Sequence, residues 1–230
     1  MERLSLVLVE AAVELVPPEL RNHPSVRRHA RRTGKDPSRI LLDRSYHHAA
    51  MRRLDDAARR GRPDISYHVL LDAVDSPLYS SGRLGLYLST RDGMVLEVGE
   101  GVRLPRSYHR FIGLLEDLYA RGEVSGEGGR ALLRMERMGL GELLGRLSPD
   151  RAVLLRELGR RTSLEELASG LASARRPLVG IGGFPSGDFS EEVLALFPEQ
   201  ASLGPEPYSA SLVACRLIYE VERAIAPANA

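Results

Sequence analysis

The 230-residue sequence has no tryptophan, one cysteine, one lysine, two asparagines and one glutamine. Each scarcity closes off a class of protein. The single Cys215 permits neither an internal disulfide nor a multi-cysteine metal site, which excludes a disulfide scaffold and a zinc ribbon and leaves the thiol a packing role. No apolar run approaches the ~18 residues that a membrane-spanning helix requires. The apolar opening Leu4–Val9 is followed by Glu10 and Glu14 rather than by a cleavage signal, which predicts a soluble, cytoplasmic chain with no membrane partner. With 43% hydrophobic and 27% charged residues, the chain can bury one sizeable core.

An excess of either charge is also missing overall, since the formal net charge is +1. The distribution is uneven, however. Between Arg21 and Arg62 there are thirteen Lys or Arg against four Asp or Glu, whereas from Arg151 onward there are eight against ten. A basic block of this kind is either a solvated helix face or a surface that attracts a polyanion. Apart from Lys35 every basic residue is an arginine, whose planar guanidinium contacts phosphate in bidentate fashion and stacks on bases. The same bias, together with the few amides, also fits a hot habitat.

Hydrophobic periodicity predicts alternating elements. Strands are expected at Leu4–Val9 and Arg39–Leu42, and helices at Ser25–Arg32 and, after Asp43, at Ser45–Arg60. Gly61, Arg62 and Pro63 break the chain before a helix over Asp64–Val74 that stops ahead of Pro77. Leu84–Thr90 and Met94–Val98, joined by Arg91, Asp92 and Gly93, read as a hairpin, followed by a helix over Ser107–Arg121. Glu123–Gly129 reads as a loop, with a weaker helical pattern continuing to Arg146. Later, Ala152–Leu155, Leu178–Ile181 and Ala201–Leu203 read as short strands. They alternate with helices at Ser163–Leu171, where Ser163 and Glu166 have the spacing of a capping box, at Phe189–Phe197 and at Ser209–Ala224.

Two constellations carry chemistry. Glycines after the Leu178–Ile181 strand, in the run Gly180 to Asp188, let backbone groups approach a ligand with no Cβ in the way. The spacing is not that of a dinucleotide fingerprint and no phosphate-loop lysine follows, so an adenosine-type ligand held by main chain remains, beside the plainer reading of a turn. The second is Arg103 to Phe111. Pro105 is expected to open a helix that sets Arg106 and Arg110 one turn apart with Arg103 just upstream, and no acid lies between Val102 and Ile112 to neutralise them. Such a face suits phosphate. The histidines His47, His48, His68 and His109 lack metal or triad spacing and read as surface or packing residues.

The blocks Arg62–Ile65, Asp75–Leu78, Arg103–Phe111 and Ile181–Gly187 resemble the Nep/Emg family of small-subunit rRNA pseudouridine N1-methyltransferases. The likeness extends to Val16–Leu20, Leu41–Asp43 ahead of Tyr46, and the closing helix around Cys215 and Tyr219. It implies a SPOUT-type α/β fold, a knotted parallel sheet with flanking helices and a C-terminal trefoil knot. Residues 1–230 would form a single domain, with an inserted α/β extension containing the hairpin, approximately 44–105, contributing to the RNA-binding surface.

By the same resemblance the cofactor is S-adenosyl-L-methionine, held by Leu155, Gly182, Gly183, Phe184, Gly187 and the segment Leu203, Gly204, Pro205, Glu206, Pro207, Tyr208. Arg62, Arg103, Arg106 and Arg110 match RNA-contacting arginines. Asp64 matches the acid that positions Arg62, and it is also a candidate proton acceptor and a candidate helix cap. The implied partners are small-subunit rRNA, a second copy of the chain and small-subunit ribosomal proteins, in a role in ribosome biogenesis. Two alternatives stand beside this reading: a non-catalytic rRNA-binding assembly factor, and a related methyltransferase with another RNA target.

Overall fold

The computed structural model describes residues 1–126 and 129–226, and its centre is β1 (Leu4–Ala11), buried on both faces. A strand that is covered by helices above and below reads as a continuous apolar run rather than an alternation, as this one does. There follow α1 (Pro24–Thr33), α2 (Arg44–Met51), α3 (Pro63–Val74), α4 (Pro77–Ser80), the hairpin β2 (Leu84–Thr90) and β3 (Met94–Val98), and α5 (Tyr108–Arg121). Next come β4 (Glu123–Ser125), β5 (Ala131–Arg137) and α6 (Leu140–Leu147). The remainder alternates regularly through β6 (Arg151–Arg161), α7 (Leu164–Ser173), β7 (Pro177–Gly182), α8 (Glu191–Leu196), β8 (Glu199–Ser202) and α9 (Ala210–Ile225).

Among the described residues the strands form one eight-stranded sheet in the order β4-β5-β3-β2-β1-β7-β6-β8. The five strands from β2 to β8 are parallel, and β3, β5 and β4 continue the sheet with antiparallel pairings. Alternate residues of β1 feed two cores. Leu4, Leu6 and Leu8 pack with α3, α5, α7 and α9, whereas Val7 and Val9 pack with Leu143 of α6 and Val193 of α8. A third, smaller core joins Val16, Val26, Ile40, Met51 and Leu54, so that α1 and α2 form a lobe of their own.

The hairpin pairs as expected, with Leu86 opposite Val98 and Ser89 opposite Val95. Asp43 caps α2 by accepting from the Ser45 amide at 2.8 Å, and Ser163 caps α7 by accepting from the Glu166 amide at 3.0 Å. Three expectations fail. Arg39–Leu42 is not a strand: Pro37–Arg39 is a 3₁₀ turn capped by Asp36, and a lone bridge joins Leu41 to Leu15. The helix expected to reach Arg60 ends at Met51, because Leu54 folds back into the small core and Asp56 adopts a left-handed φ of 52°.

The region expected to be a loop and then a weak helix up to Arg146 contains β4 and β5 first, and only its end, α6 over Leu140–Leu147, is helical. Leu133 and Met135 of β5 point inward while Arg134 and Glu136 point out, a two-residue period too short to stand out against the surrounding arginines. Residues 127 and 128 of the expected loop lie outside the described residues.

The C-terminal end of β1 is an anchor. Gly183 donates to the Val9 carbonyl at 2.9 Å and accepts from the Ala12 amide at 2.9 Å, while the amides of Arg62 and Arg91 donate to the carbonyls of Ala12 and Ala11 at 3.0 and 3.2 Å. Tyr119 of α5 adds a hydroxyl bond to the Val13 carbonyl at 3.1 Å. On the other side of the sheet β6 continues past Leu155, bulges, and rejoins β8 at Arg160 opposite Ala201. At the crossing a Cβ on Gly159 would lie 2.5 Å from the Ala201 carbonyl carbon, so two backbones touch directly.

The small lobe encloses His47, which is fully buried, and His29. The Asp43 amide donates to His47 Nδ1 at 3.0 Å, which leaves the proton on Nε2 to bridge to His29 Nδ1 at 2.9 Å. Burial, reinforced by His29, pushes His47 down to about 4 from 6.5. The neutral form is therefore favoured in the fold, and its stabilisation is complete above pH 6.5 and lost as the pH falls toward about 4. Thermal melts are expected to show a declining Tm across that window, with about 2–4 °C lost per kcal/mol. His47→Gln, which keeps a neutral donor and acceptor, should flatten the decline; an equal slope in wild type and variant would locate the sensitivity elsewhere.

Candidate active site

A cleft of about 520 Å³ opens where the parallel strands end, the usual ligand position in an α/β sheet. Its walls are the turn after Leu155 of β6, the loop from Gly182 to Phe189 after β7, and the segment Leu203 to Ser209 between β8 and α9. The first turns of α3, with Arg62, Asp64, Ile65 and His68, close the fourth side. Most expected cofactor residues share this wall: Leu155, Gly182, Phe184, Gly187, Leu203, Gly204, Glu206, Pro207 and Tyr208.

Gly183 and Pro205 are not part of the wall. Gly183 braces the sheet instead, since a Cβ there would sit 2.7 Å from the Ala11 Cα. At Gly182 a Cβ would first meet the rings of Phe184 and Phe189, at 3.2 and 3.3 Å, rather than backbone. Gly187 holds a φ of 93°, a conformation that a side chain resists.

Guanidinium groups fasten these loops. Arg59 lies 4.0 Å above the Phe184 ring and pairs with Glu10 at 2.5 Å, tying the loop after β7 to the end of β1. Phe184 in turn packs edge-on against Phe189, with centroids 5.1 Å apart. Arg156 bonds Asp188 and, at 2.8 Å, Gln200, joining the irregular part of β6 and the loop after β7 to β8. The Ser202 hydroxyl donates to the Gly204 carbonyl at 3.0 Å and sets the path of the last segment. The sequence assigned no site role to Ile65, Arg156, Asp188 or Phe189, and His68, expected to be a surface or packing residue, also lines the cleft. His68 had a usable signal, lying one helical turn after Asp64, but Arg156 was one arginine among many.

Arg62 and Asp64 form a bidentate pair, Nε to Oδ1 and Nη2 to Oδ2, both at 2.8 Å. Burial would raise the Asp64 carboxyl, but the hydrogen bonds and charge of Arg62 prevail and hold it below its ordinary value. The Asp64 bonds likewise raise the Arg62 guanidinium. Asp64 is not the helix cap: Arg62 occupies that position without a side-chain cap, Pro63 follows, and Asp64 lies inside the first turn, where its charge favours the helix N-terminus.

The other three arginines lie outside the cleft wall, exposed on the approach to α5. Ser107 occupies the N-cap position of α5, without a side-chain capping bond, and the helix begins at Tyr108, so Arg106 precedes it and does not lie one helical turn from Arg110. The Tyr67 hydroxyl of α3 bonds the Arg106 carbonyl and holds this segment against α3. Arg106 is not unneutralised either, because Asp75 at the end of α3 reaches its Nη2 at 3.0 Å. Tyr108 donates to Asp43 Oδ2 at 2.7 Å; burial first and Asp43 second raise its hydroxyl far above the ordinary range. Cys215, expected to pack, is exposed on α9. Among the described residues no group of three His, Cys, Asp or Glu could hold a metal, and no helix is long and apolar enough to cross a membrane.

A parallel sheet that holds a glycine-lined cleft at its strand ends, with an arginine–carboxylate pair at the mouth, defines a cofactor-binding α/β protein. Residues 6–222 match the family model described as EMG1/NEP1 methyltransferase. The chain is 39% identical over 221 residues to the ribosomal RNA small subunit methyltransferase Nep1 of Staphylothermus marinus, covering 96% of each chain. It is 43% identical over 220 residues to the protein of that name from Pyrobaculum arsenaticum, covering 95% of this chain and 97% of the relative. The crystal structure of Archaeoglobus fulgidus Nep1 bound to S-adenosylhomocysteine superposes with a TM-score of 0.86 at 39% identity, over 97% of this chain and 99% of that one. The chain belongs to the EMG1/NEP1 methyltransferase family.

Two adjacent glycines should behave differently. Gly183→Ala forces backbone against backbone and is expected to cost about 1–3 kcal/mol, a drop of several degrees in Tm. Gly182→Ala should leave the melt in place and weaken S-adenosylhomocysteine binding measured by calorimetry. Equal effects of the two substitutions on both measurements would contradict the division of roles.

Proposed function

We propose that the protein transfers a methyl group from S-adenosyl-L-methionine to N1 of a pseudouridine in small-subunit rRNA, in the cytoplasm, as a step of small-subunit biogenesis. The observation that carries this reading is the Arg62–Asp64 pair standing at the mouth of the cleft built by the three strand-end loops. The residues fit the cofactor. The cleft has the size range of nucleotide-like ligands, glycine backbone replaces side chains along its wall, and Phe184 and Phe189 offer apolar surface.

When bound, the cofactor supplies a methyl group already activated by its sulfonium, so alignment and water exclusion dominate the protein's contribution. Arg62, fixed by Asp64, keeps Nη1 free for an RNA phosphate or base edge. Arg103, Arg106 and Arg110 grip phosphates outside the cleft while the target base is turned inward. Methylation at N1 would require the base to give up its N1 proton, which would pass to Asp64, to water or to a main-chain carbonyl. Held ionised and low by Arg62, Asp64 is a weak base, which makes positioning of Arg62 its principal task.

Three further features of the resemblance gain support. The β6 extension wrapping the end of β8 ahead of α9, which packs on α7 and α3, fits a trefoil knot. The segment of residues 44–105 includes Arg62 at the start of α3 and Arg103 near its end, two of the proposed RNA-contacting arginines, with its hairpin built into the sheet. Exposed large hydrophobics stand at Leu158 in β6 and Tyr208 before α9, both on the cleft wall, and at Leu212 and Tyr219 on α9, which fits a homodimer with the cofactor close to the interface.

Methyl transfer from labelled cofactor to paired oligonucleotides containing uridine or pseudouridine tests the specificity; equal labelling of both would refute it. Asp64→Asn is expected to lower kcat by about 10²-fold while calorimetric cofactor affinity is retained. Leu212→Arg is expected to shift the protein to monomer in sedimentation and to weaken cofactor binding, and a dimer of unchanged stability would remove α9 from the interface.

A further inference from the structure

Of the basic residues in the block from Arg21 to Arg62, those on α1 are left over by the function proposed above. Val26, His29 and Ala30 of this helix are buried, whereas Arg27, Arg28, Arg31 and Arg32 are exposed. Arg28 and Arg32 lie one turn apart, with Arg31 beside them on the outer face. Some exposed arginines elsewhere find acids, as Arg130 does with Glu100, Arg134 with Glu123, Arg146 with Glu136, Arg175 with Glu2 and Arg223 with Glu220, while others, such as Arg52 and Arg53, find none among the described residues; α1 gathers four of the latter kind on a single helix. Among the described residues, none of the four on α1 has a carboxylate within ion-pairing distance. Arg31 and Arg32 complement the C-terminal end of the helix dipole, but Arg27 and Arg28 stand a turn further back and gain little from it.

This face is also linked, through side chains buried beneath the surface of the lobe, to the proposed target-binding region. Arg32 lies 4.7 Å over the Tyr46 ring, and Tyr46 stacks on His29 with centroids 4.2 Å apart. His29 bonds His47, His47 accepts from the Asp43 amide, and Asp43 accepts from Tyr108 at 2.7 Å, at the start of the helix that carries Arg110. An unbroken path of aromatic and charged groups thus leads from α1 to the approach to α5.

We propose that the outer face of α1, with Arg28, Arg31 and Arg32, is a second RNA-contact surface that grips backbone phosphates flanking the target nucleotide, Arg32 on Tyr46 forming its inner edge. The inference rests on the reading of the protein as an RNA methyltransferase. Unpaired guanidinium groups repel one another on a neutral protein and are relieved by a polyanion, and phosphates spaced along a strand match arginines repeated along a helix. The contact supplies affinity and register without sequence information.

The test uses the full chain and two RNAs: a short hairpin holding only the target loop, and the same hairpin extended by flanking helix on both sides. Arg28→Ala with Arg32→Ala is expected to weaken binding of the extended RNA about tenfold at moderate salt and to reduce its log–log salt slope by about 1.8, two phosphates at about 0.9 each. Affinity for the short hairpin and methyl transfer to it should not change, and Arg28→Lys with Arg32→Lys should restore the slope. A circular dichroism melt confirms that each variant is folded. An unaltered slope on the extended RNA overturns the proposal and gives the face to an acidic protein partner instead; equal losses on both RNAs overturn it as well, placing α1 within the target-loop site. Wild-type protein that binds and methylates neither RNA would overturn the underlying enzyme reading, an outcome distinguishable from failure of α1 alone.

Discussion

The backbone at the C-terminal end of β1 is the constraint on which the site depends. Within five residues, Val9 to Val13, it receives or supplies hydrogen bonds to Gly183, Arg62, Arg91 and Tyr119. Those partners belong to the ligand loop after β7, the start of α3, the turn of the hairpin and α5. One strand end therefore fixes the distance between the glycine-lined wall and the Arg62–Asp64 pair, and it does so through main-chain bonds to Gly183 and Arg62. Glu10, held at a φ of 50°, turns its carboxylate to Arg59 and to the Ser190 amide, so the same few residues also brace the far rim of the cleft.

The arginine-rich composition acquires two meanings once the fold is known. Arg59, Arg60 and Arg156 are nearly buried and serve as struts, pairing with Glu10, Glu14 and Asp188 to join loops that have few apolar contacts of their own. Arg103, Arg110 and the α1 arginines face outward without partners among the described residues. Both groups share one side chain because a planar fork suits both tasks: it binds a carboxylate in two places when enclosed, and a phosphate in two places when exposed.

Much of this was legible from residues alone where a local rule governs. The hairpin was, because Arg91, Asp92 and Gly93 separate two apolar runs, and so were the caps at Asp43 and Ser163 and the pairing of Arg62 with Asp64 across a proline. What could not be read was set by tertiary packing. Leu54 ends α2 by turning into a core most of whose other members come from residues 16 to 42, and β5 is held as a strand by lying against β3. Of the two adjacent glycines, 182 and 183, only the contact with Ala11 shows which one shapes the cleft and which one supports the sheet. Arg106 looked isolated in sequence because Asp75 lies a whole hairpin away along the chain.

The uneven depth of the ionic contacts has a consequence of its own. Arg59 and Arg156 expose 15% and 13% of their side chains, against 80% for Arg106, so mobile counterions reach the outer face far more readily than the struts of the pocket. Brine would thus uncouple the two halves of the molecule: it would loosen the hold on a long polyanion while the enclosed chamber kept its shape, a separation that depends only on how far each guanidinium is withdrawn from water.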